Sequence, residues 1–424
     1  MIGTKPIPFP PDRTTPFART AASVPTPRGA RSVPLLFPVR TGWLSAFPKE
    51  ETDMSLAFHI YHPGANAIFD VTSTLITGET EAFLVDAQFQ KQYAEELVKP
   101  LKDSGKELKV IYISHFDSDY YFGLDVLADA FPKARILSTA QTAWMISASM
   151  EDKLAVWKKA LRKDAPARFI LPEAVKELPL LEGEEIRIVT CPDDEMHSFL
   201  YVPSAKTILG GVSLAEDSHP WMADTKGLDE LDKWIRQVET MQALAPKQVI
   251  ASHHYQDERK GNPVILSCTL EYLKYYRDAL TSGNTADAIV SIMSEKYPDL
   301  EGKDTLAFGA RVITGAEPWA RKDLYPGIGH HVLMDFSPAA VFNVEFKDNK
   351  TLTFTQTEGE NKGYSDTMPF TAEEIADHVY MVHWQENAGI AVIHVQNWNT
   401  LEVWTNIYIP GQTGIHMKGK MIRH

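Results

Sequence analysis

Two cysteines in 424 residues, Cys191 and Cys268, are too few for a disulfide scaffold, and they show no zinc-finger spacing. Long apolar runs are missing too, since no stretch approaches the ~20 residues that a bilayer-spanning helix needs. Basic charge is scarce: 42 Lys and Arg stand against 56 Asp and Glu, a net charge of −14. A chain with no basic face cannot neutralise a phosphate backbone, which argues against nucleic acid as a partner. What is present is ordinary globular material, 44% hydrophobic and 10% aromatic, in a length that accommodates two domains. A cytoplasmic protein off the membrane, acting on a small molecule, is the expectation.

The start of the chain is of another kind. Residues 1–50 hold ten of the 27 prolines, five arginines (13, 19, 28, 31 and 40) and, before Glu50, Asp12 alone among acids. An Arg-rich, acid-poor start resembles the composition of a targeting segment, but the prolines break any amphipathic helix. A solvated N-terminal arm is expected over 1–50, followed by domains at 51–321 and 322–424.

From Ser55 the pattern becomes ordered. Phe58–Tyr61, Ile68–Ile76, Ala82–Val85, Val110–Ile113 and Arg135–Ser138 read as strands. Gln90–Lys102, Leu124–Phe131 and Thr139–Lys163 read as the helices between and after them. Strands then return within Lys176–Gly211, followed by helices at Leu228–Leu244, Thr269–Lys296 and Leu306–Ala320. Short connections between these elements predict an α+β chain in layers. After Lys322 come short strands alone, at Val341–Phe346, Leu352–Gln356, Val379–His383, Ile390–Val395 and Leu401–Tyr408. Polar turns between them predict a small antiparallel β-barrel or sandwich.

The chemistry concentrates in Ile111–Gly123, Ile-Tyr-Ile-Ser-His-Phe-Asp-Ser-Asp-Tyr-Tyr-Phe-Gly. A buried-strand run ends at His115, Asp117 and Asp119, two residues apart. On extended backbone that spacing turns all three side chains to one side. One imidazole and two carboxylates are a donor set for a divalent metal such as zinc or iron.

These residues resemble the metallo-β-lactamase superfamily, whose loop reads Ser/Thr-His-x-His-x-Asp-His-x-x-Gly. Ser114, His115, Asp119 and Gly123 match it, while Asp117 and Tyr120 replace the second and third histidines. A branch with His-x-Asp-x-Asp-Tyr-Tyr-Phe-Gly looks closer. The resemblance covers about 55–320 and implies an αββα fold, with Asp86 supporting the metal loop. It also implies that His197 and His253 complete the ligands. Where the family carries a metal-bridging Asp after a glycine, this chain has Gly210, Gly211 and then Val212, which cannot ligate. His219 and Asp224 are either substitutes or loop residues. His254 points away from His253 on extended backbone, so it is expected to be second to it.

The C-terminal strands resemble the lipocalin-like module of MoaF through Val382-His-Trp-Gln-Glu, Ile393-His-Val and Trp404-Thr-Asn-Ile. That implies a barrel with a small-ligand cavity, for which His383, Glu386, His394 and Trp404 are the expected lining.

The expected metal ligands are therefore His115, Asp117, Asp119, His197 and His253. Asp119 and Tyr120 are the expected catalytic groups, around one Zn2+ per chain, with Fe2+ or Mn2+ as alternatives. Zinc lowers the pKa of bound water from ~9 towards ~7, giving hydroxide at neutral pH. The expected activity is metal-dependent hydrolysis of an ester, lactone, thioester or amide of a small metabolite. An iron-dependent oxygenase or lyase, and a non-catalytic binding protein with a degenerate metal site, are the alternatives. A homodimer is left open.

Overall fold

The computed structural model describes residues 42–43, 56–64, 66–191, 194–225, 227–254, 261–317, 325–347, 350–376 and 378–423. The expected arm at 1–50 lies outside the described residues except for the short strand Gly42–Trp43. The expected domain boundary at 321/322 lies outside them as well.

Seven strands form the first sheet, in chain order: Gly42–Trp43, Ala57–His62, Ser73–Thr77, Glu81–Val85, Glu107–Tyr112, Arg135–Ser138 and Glu173–Ala174. The first four pair antiparallel and the last four parallel. Parallel neighbours need crossovers, here made by helices Lys91–Asp103, Leu124–Ala130 and Ala140–Leu161. A second sheet has the order Gln248–Ile250, Thr207–Leu209, Asp194–Val202, Arg187–Cys191.

Side-chain alternation turns these sheets into layers. Val110 and Tyr112 meet Leu200, Val202, Leu209 and Ile250 in the space between the sheets. Their neighbours Ile111 and Ile113 face the other way, onto Leu97, Leu124 and Ile146 of the first helical layer. Phe199, Tyr201, Ile208 and Val249 likewise face Trp234, Leu273 and Ile289 of helices Leu228–Ala243, Val264–Thr281 and Ala286–Lys296. Helix, sheet, sheet, helix is the αββα architecture.

The C-terminal strands close into an eight-stranded antiparallel barrel. They are His331–Phe336, Ala340–Phe346, Thr351–Gly359, Ser365–Ala376, Val379–Gln385, Ala391–Asn397, Glu402–Tyr408 and Ile415–Arg423, and the last pairs with the first. Three of these, the first, fourth and last, were absent from the expected strands. Ser365–Ala376 and Ile415–Arg423 carry few buried side chains, so little hydrophobic signal marks them.

One end of the barrel packs on the layered part, where Ala140 and Trp144 join Tyr325 and Ile328 in one apolar cluster. Gln141 Nε2 also donates to the Ile328 carbonyl at 3.2 Å. Among the described residues, no helix is long and apolar enough to cross a membrane.

Candidate metal centre

The loop after strand Glu107–Tyr112 is held by a carboxylate beneath it. Asp86, turned by a φ of 65° at the end of its own strand, accepts from Ser114 N–H at 2.8 Å and Ser114 Oγ–H at 2.7 Å. Ser114 Oγ in turn accepts from Gly211 N–H at 2.8 Å, which ties the loop to the second sheet. Gly211 has φ 78°, and a Cβ there would lie 2.4 Å from the Ser198 carbonyl oxygen. Only glycine allows this close approach.

The expectation that His115, Asp117 and Asp119 lie on one extended side is corrected. A helical turn, Ser118–Tyr121, begins directly after Asp117, so a spacing of two no longer means a common direction. Asp117 goes to Lys153, whose Nζ donates to Asp117 Oδ1 and to the Phe116 carbonyl, both at 2.8 Å. Asp119 goes to His253, with Oδ2 at 3.2 Å from Nε2.

Two imidazoles, those of His197 and His253, share one arrangement, a carboxylate within hydrogen-bond reach of Nδ1. Asp194 lies 2.7–2.8 Å from His197 Nδ1, and Asp70 Oδ1 lies 3.2 Å from His253 Nδ1. Asp117 Oδ2 stands 3.5 Å from His115 Nδ1, which also accepts the Asp117 backbone N–H at 3.2 Å. Carboxylates so placed orient a ligating histidine and set its tautomer, so that Nε2 is the metal-facing nitrogen. His115 Nε2 is buried and makes no hydrogen bond. Burial pushes the His115 pKa down to about 3, so the ring is neutral.

Electrostatics differ around the others. Burial works against a charged His253, but Asp119 and Asp70 outweigh it and raise its pKa to about 10. Burial likewise opposes a charged Asp117, yet Lys153 and His115 bring it down to about 2.

Among the described residues, no group of three or more His, Cys, Asp or Glu side chains is gathered closely enough to hold a metal ion. One donor pair has the spacing that a divalent ion requires. Two atoms each ~2.0–2.1 Å from one tetrahedral ion stand ~3.3 Å apart, close to the 3.2 Å between His253 Nε2 and Asp119 Oδ2. Asp117 does not fit as a further donor, because it sits at the Nδ1 edge of His115, in a lysine ion pair.

A narrow cleft is lined by His115, Phe116, Asp117, His197, Val212, Trp221, Asp224, Thr225 and Trp234. The rings of His115, His197 and Trp234 form a near-parallel column, with centroids 5.9 and 6.4 Å apart. Of the two residues weighed as substitutes, Asp224 lines this cleft and accepts from Trp221 Nε1–H at 2.7 Å. His219 is buried elsewhere, its Nδ1 2.8 Å from the Tyr272 hydroxyl. Tyr120 is fully buried between the His115 and His253 rings, with its hydroxyl 3.4 Å from the Gly211 carbonyl oxygen. It does not line the cleft, and its surroundings are those of a packing side chain. The His254 side chain lies outside the described ones.

The four residues expected to line a barrel pocket do not assemble. His394 is inside, but His383 and Trp404 are on the outer face, and Glu386 lies in the hairpin loop after its strand. Strand register put the inward positions one residue away from His383 and Trp404, at Trp384 and Thr405. Burial and the Asp366 charge raise the Glu386 pKa to about 7, against a Tyr364 hydrogen bond that lowers it.

Sequence reasoning missed Lys153, Asp70 and Asp194 as supports. Asp194 was visible, three residues before His197. Lys153 and Asp70 were not, being 36 and 183 residues from their partners.

Residues 67–253 match the family model of the metallo-beta-lactamase superfamily, and residues 328–422 match that of the MoaF-like family. The uncharacterized protein YobT of Bacillus subtilis (strain 168) is 27% identical over 124 residues, 28% of this chain and 49% of its own. The chain thus spans about half the length of that curated relative. A metallo-beta-lactamase family protein from Thermus thermophilus is 18% identical, with TM-score 0.44 over 61% of this chain and 91% of its own. The metallo-beta-lactamase from Pontibacter korlensis is also 18% identical, with TM-score 0.37 over 53% and 97%.

Proposed function

With residues 67–253 assigned to the metallo-beta-lactamase superfamily and 328–422 to the MoaF-like family, we propose a metal-dependent hydrolase of small esters, lactones, thioesters or amides. The observation that carries this reading is His253, held at Nδ1 by Asp70 with Nε2 3.2 Å from Asp119, together with His197 held at Nδ1 by Asp194. The residues that would hold the ion are His115, His197 and His253 through Nε2, with the Asp119 carboxylate. When bound, a divalent ion such as zinc polarises a carbonyl and acidifies water.

The remaining groups prepare the site. Asp194 and Asp70 keep the His197 and His253 rings in place, and the Asp117 backbone N–H donates to His115 Nδ1 while Lys153 balances the Asp117 charge. Phe116, Trp221 and Trp234 give the cleft aromatic walls that suit a small, largely apolar substrate. Val212 stands where a second metal would need a carboxylate, which supports a single ion.

The test is elemental analysis of the purified full chain together with a hydrolysis panel of esters, lactones, thioesters and amides. Zinc near one per chain, and turnover abolished by chelation and restored by zinc, is expected. Metal-free protein that stays inactive across the panel after zinc addition would overturn the reading.

A further inference from the structure

The cleft beside the metal centre has a charge pattern of its own. Its described lining includes two carboxylates, Asp117 and Asp224, and neither a lysine nor an arginine. Asp117 is answered by Lys153, whose Nζ lies 2.8 Å from Oδ1. Asp224 is the second carboxylate, and its Oδ2 accepts from Trp221 Nε1–H at 2.7 Å.

That bond also fixes an aromatic wall. Trp221 is held at its edge by Asp224 and packs on Phe308, with ring centroids 5.6 Å apart and planes at 31°. Trp234 is fixed in a similar way. Its Nε1–H donates to the Ser213 carbonyl at 2.9 Å, and its ring lies at 13° to that of His197. Both indole N–H groups are thus engaged, so the two tryptophans offer the cleft ring surface rather than a donor.

Ring faces carry negative potential and attract cations, more strongly where water is excluded. A cation already stands on the third aromatic of the cleft, with Lys153 Nζ 4.6 Å from the centre of the Phe116 ring. An anionic substrate would meet carboxylates and ring faces with no basic side chain of the lining to offset them. An ammonium group is attracted by both, and three N–H donors suit a carboxylate acceptor in a narrow space. The chain's net charge of −14 draws cations towards it from solution.

We propose that the cleft selects esters carrying a primary ammonium group, which Asp224 holds against Trp221 and Trp234. This deepens the hydrolase reading and rests on it. Hydrolysis of such an ester adds water across the acyl C–O bond and releases an amino acid and an alcohol.

The experiment compares three esters of matched shape on the zinc-loaded full chain: ethyl β-alaninate, neutral ethyl butanoate and anionic monoethyl succinate. The ammonium ester is expected to exceed the neutral one about tenfold or more in kcat/KM, chiefly through KM, with the succinate lowest. Asp224→Asn keeps an acceptor for Trp221 but loses the charge. It should lower the ammonium-to-neutral ratio about tenfold or more, the effect of a lost hydrogen bond to a charged group. Melting temperatures report whether the variant folds. Equal turnover of the ammonium and neutral esters by the parent would overturn the inference and leave the hydrolase reading standing. So would a ratio unchanged in folded Asp224→Asn. If no ester is turned over, the hydrolase reading fails, and propylammonium binding decides the charge preference alone. It is followed by the 15N-labelled Trp221 indole signal, identified by its loss in Trp221→Phe. A saturable shift that propionate does not produce supports the preference; an unmoved signal, or an equal response to propionate, overturns it.

Discussion

Lys153 closes on Asp117, with Nζ 2.8 Å from Oδ1 and 4.6 Å from the centre of the Phe116 ring. The lysine belongs to helix Ala140–Leu161, whose first turn packs against the barrel, so one helix touches both the barrel and the metal loop. The pair cancels the charge that Asp117 adds beside His115.

Lys153→Met removes that counter-ion from a carboxylate that is only 23% exposed. The melting temperature should fall by the equivalent of about 1–3 kcal/mol, the cost of leaving a mostly buried polar group unpaired. Adding Asp117→Asn should recover most of the loss. A double variant no more stable than Lys153→Met would show that the carboxylate is not the cause.

Metal content separates ligands from their supports. His115→Ala and His197→Ala should each lose the ion, whereas Asp194→Asn and Asp117→Asn should keep it with affinity lowered about 10- to 100-fold. Competition with a chelating dye reads all four. Loss of metal in Asp117→Asn as complete as in His115→Ala would make Asp117 a ligand after all.

Glu182 predicts an acid-sensitive turn. Its carboxylate accepts the backbone N–H groups of Glu79, Thr80 and Glu81 at 2.5–2.6 Å. Burial acts to raise its pKa, but these donors prevail and lower it to about 2, from 4.5. A depressed folded pKa means stability that is present above pH 4.5 and lost as pH falls from there to about 2. Glu182→Gln should therefore melt below the parent at pH 7, and the gap should close through that window. A gap unchanged at about pH 2.5 would refute the assignment.

Gly211→Ala places a Cβ against the Ser198 carbonyl at a positive φ. A loss of about 1–3 kcal/mol is expected from the strained backbone alone. Because Gly211 N–H also anchors Ser114, metal affinity should fall as well. Thermal melting and the chelator assay check both, and a variant matching the parent in each would show the approach to be dispensable.

Local periodicity alone determined the helices and most strands. Tyr93, Leu97 and Leu101 share a helical face, and Val110–Ile113 marks a buried strand, through interactions within a few residues. The loop motif also named His115 before any packing was known. Tertiary structure decided the rest. Asp117 and Asp119 are neighbours in sequence but part company at Ser118, one meeting Lys153 and the other His253. Either carboxylate could ligate by its chemistry; which one faces an ion depends on partners that only folding brings near. The barrel repeats the point: both parities of Val379–Gln385 and Ala391–Asn397 offer apolar and aromatic residues, so sequence could not say which faced inward. Closure of the eight strands decided it, because a register shift of one residue exchanges every inner and outer side chain.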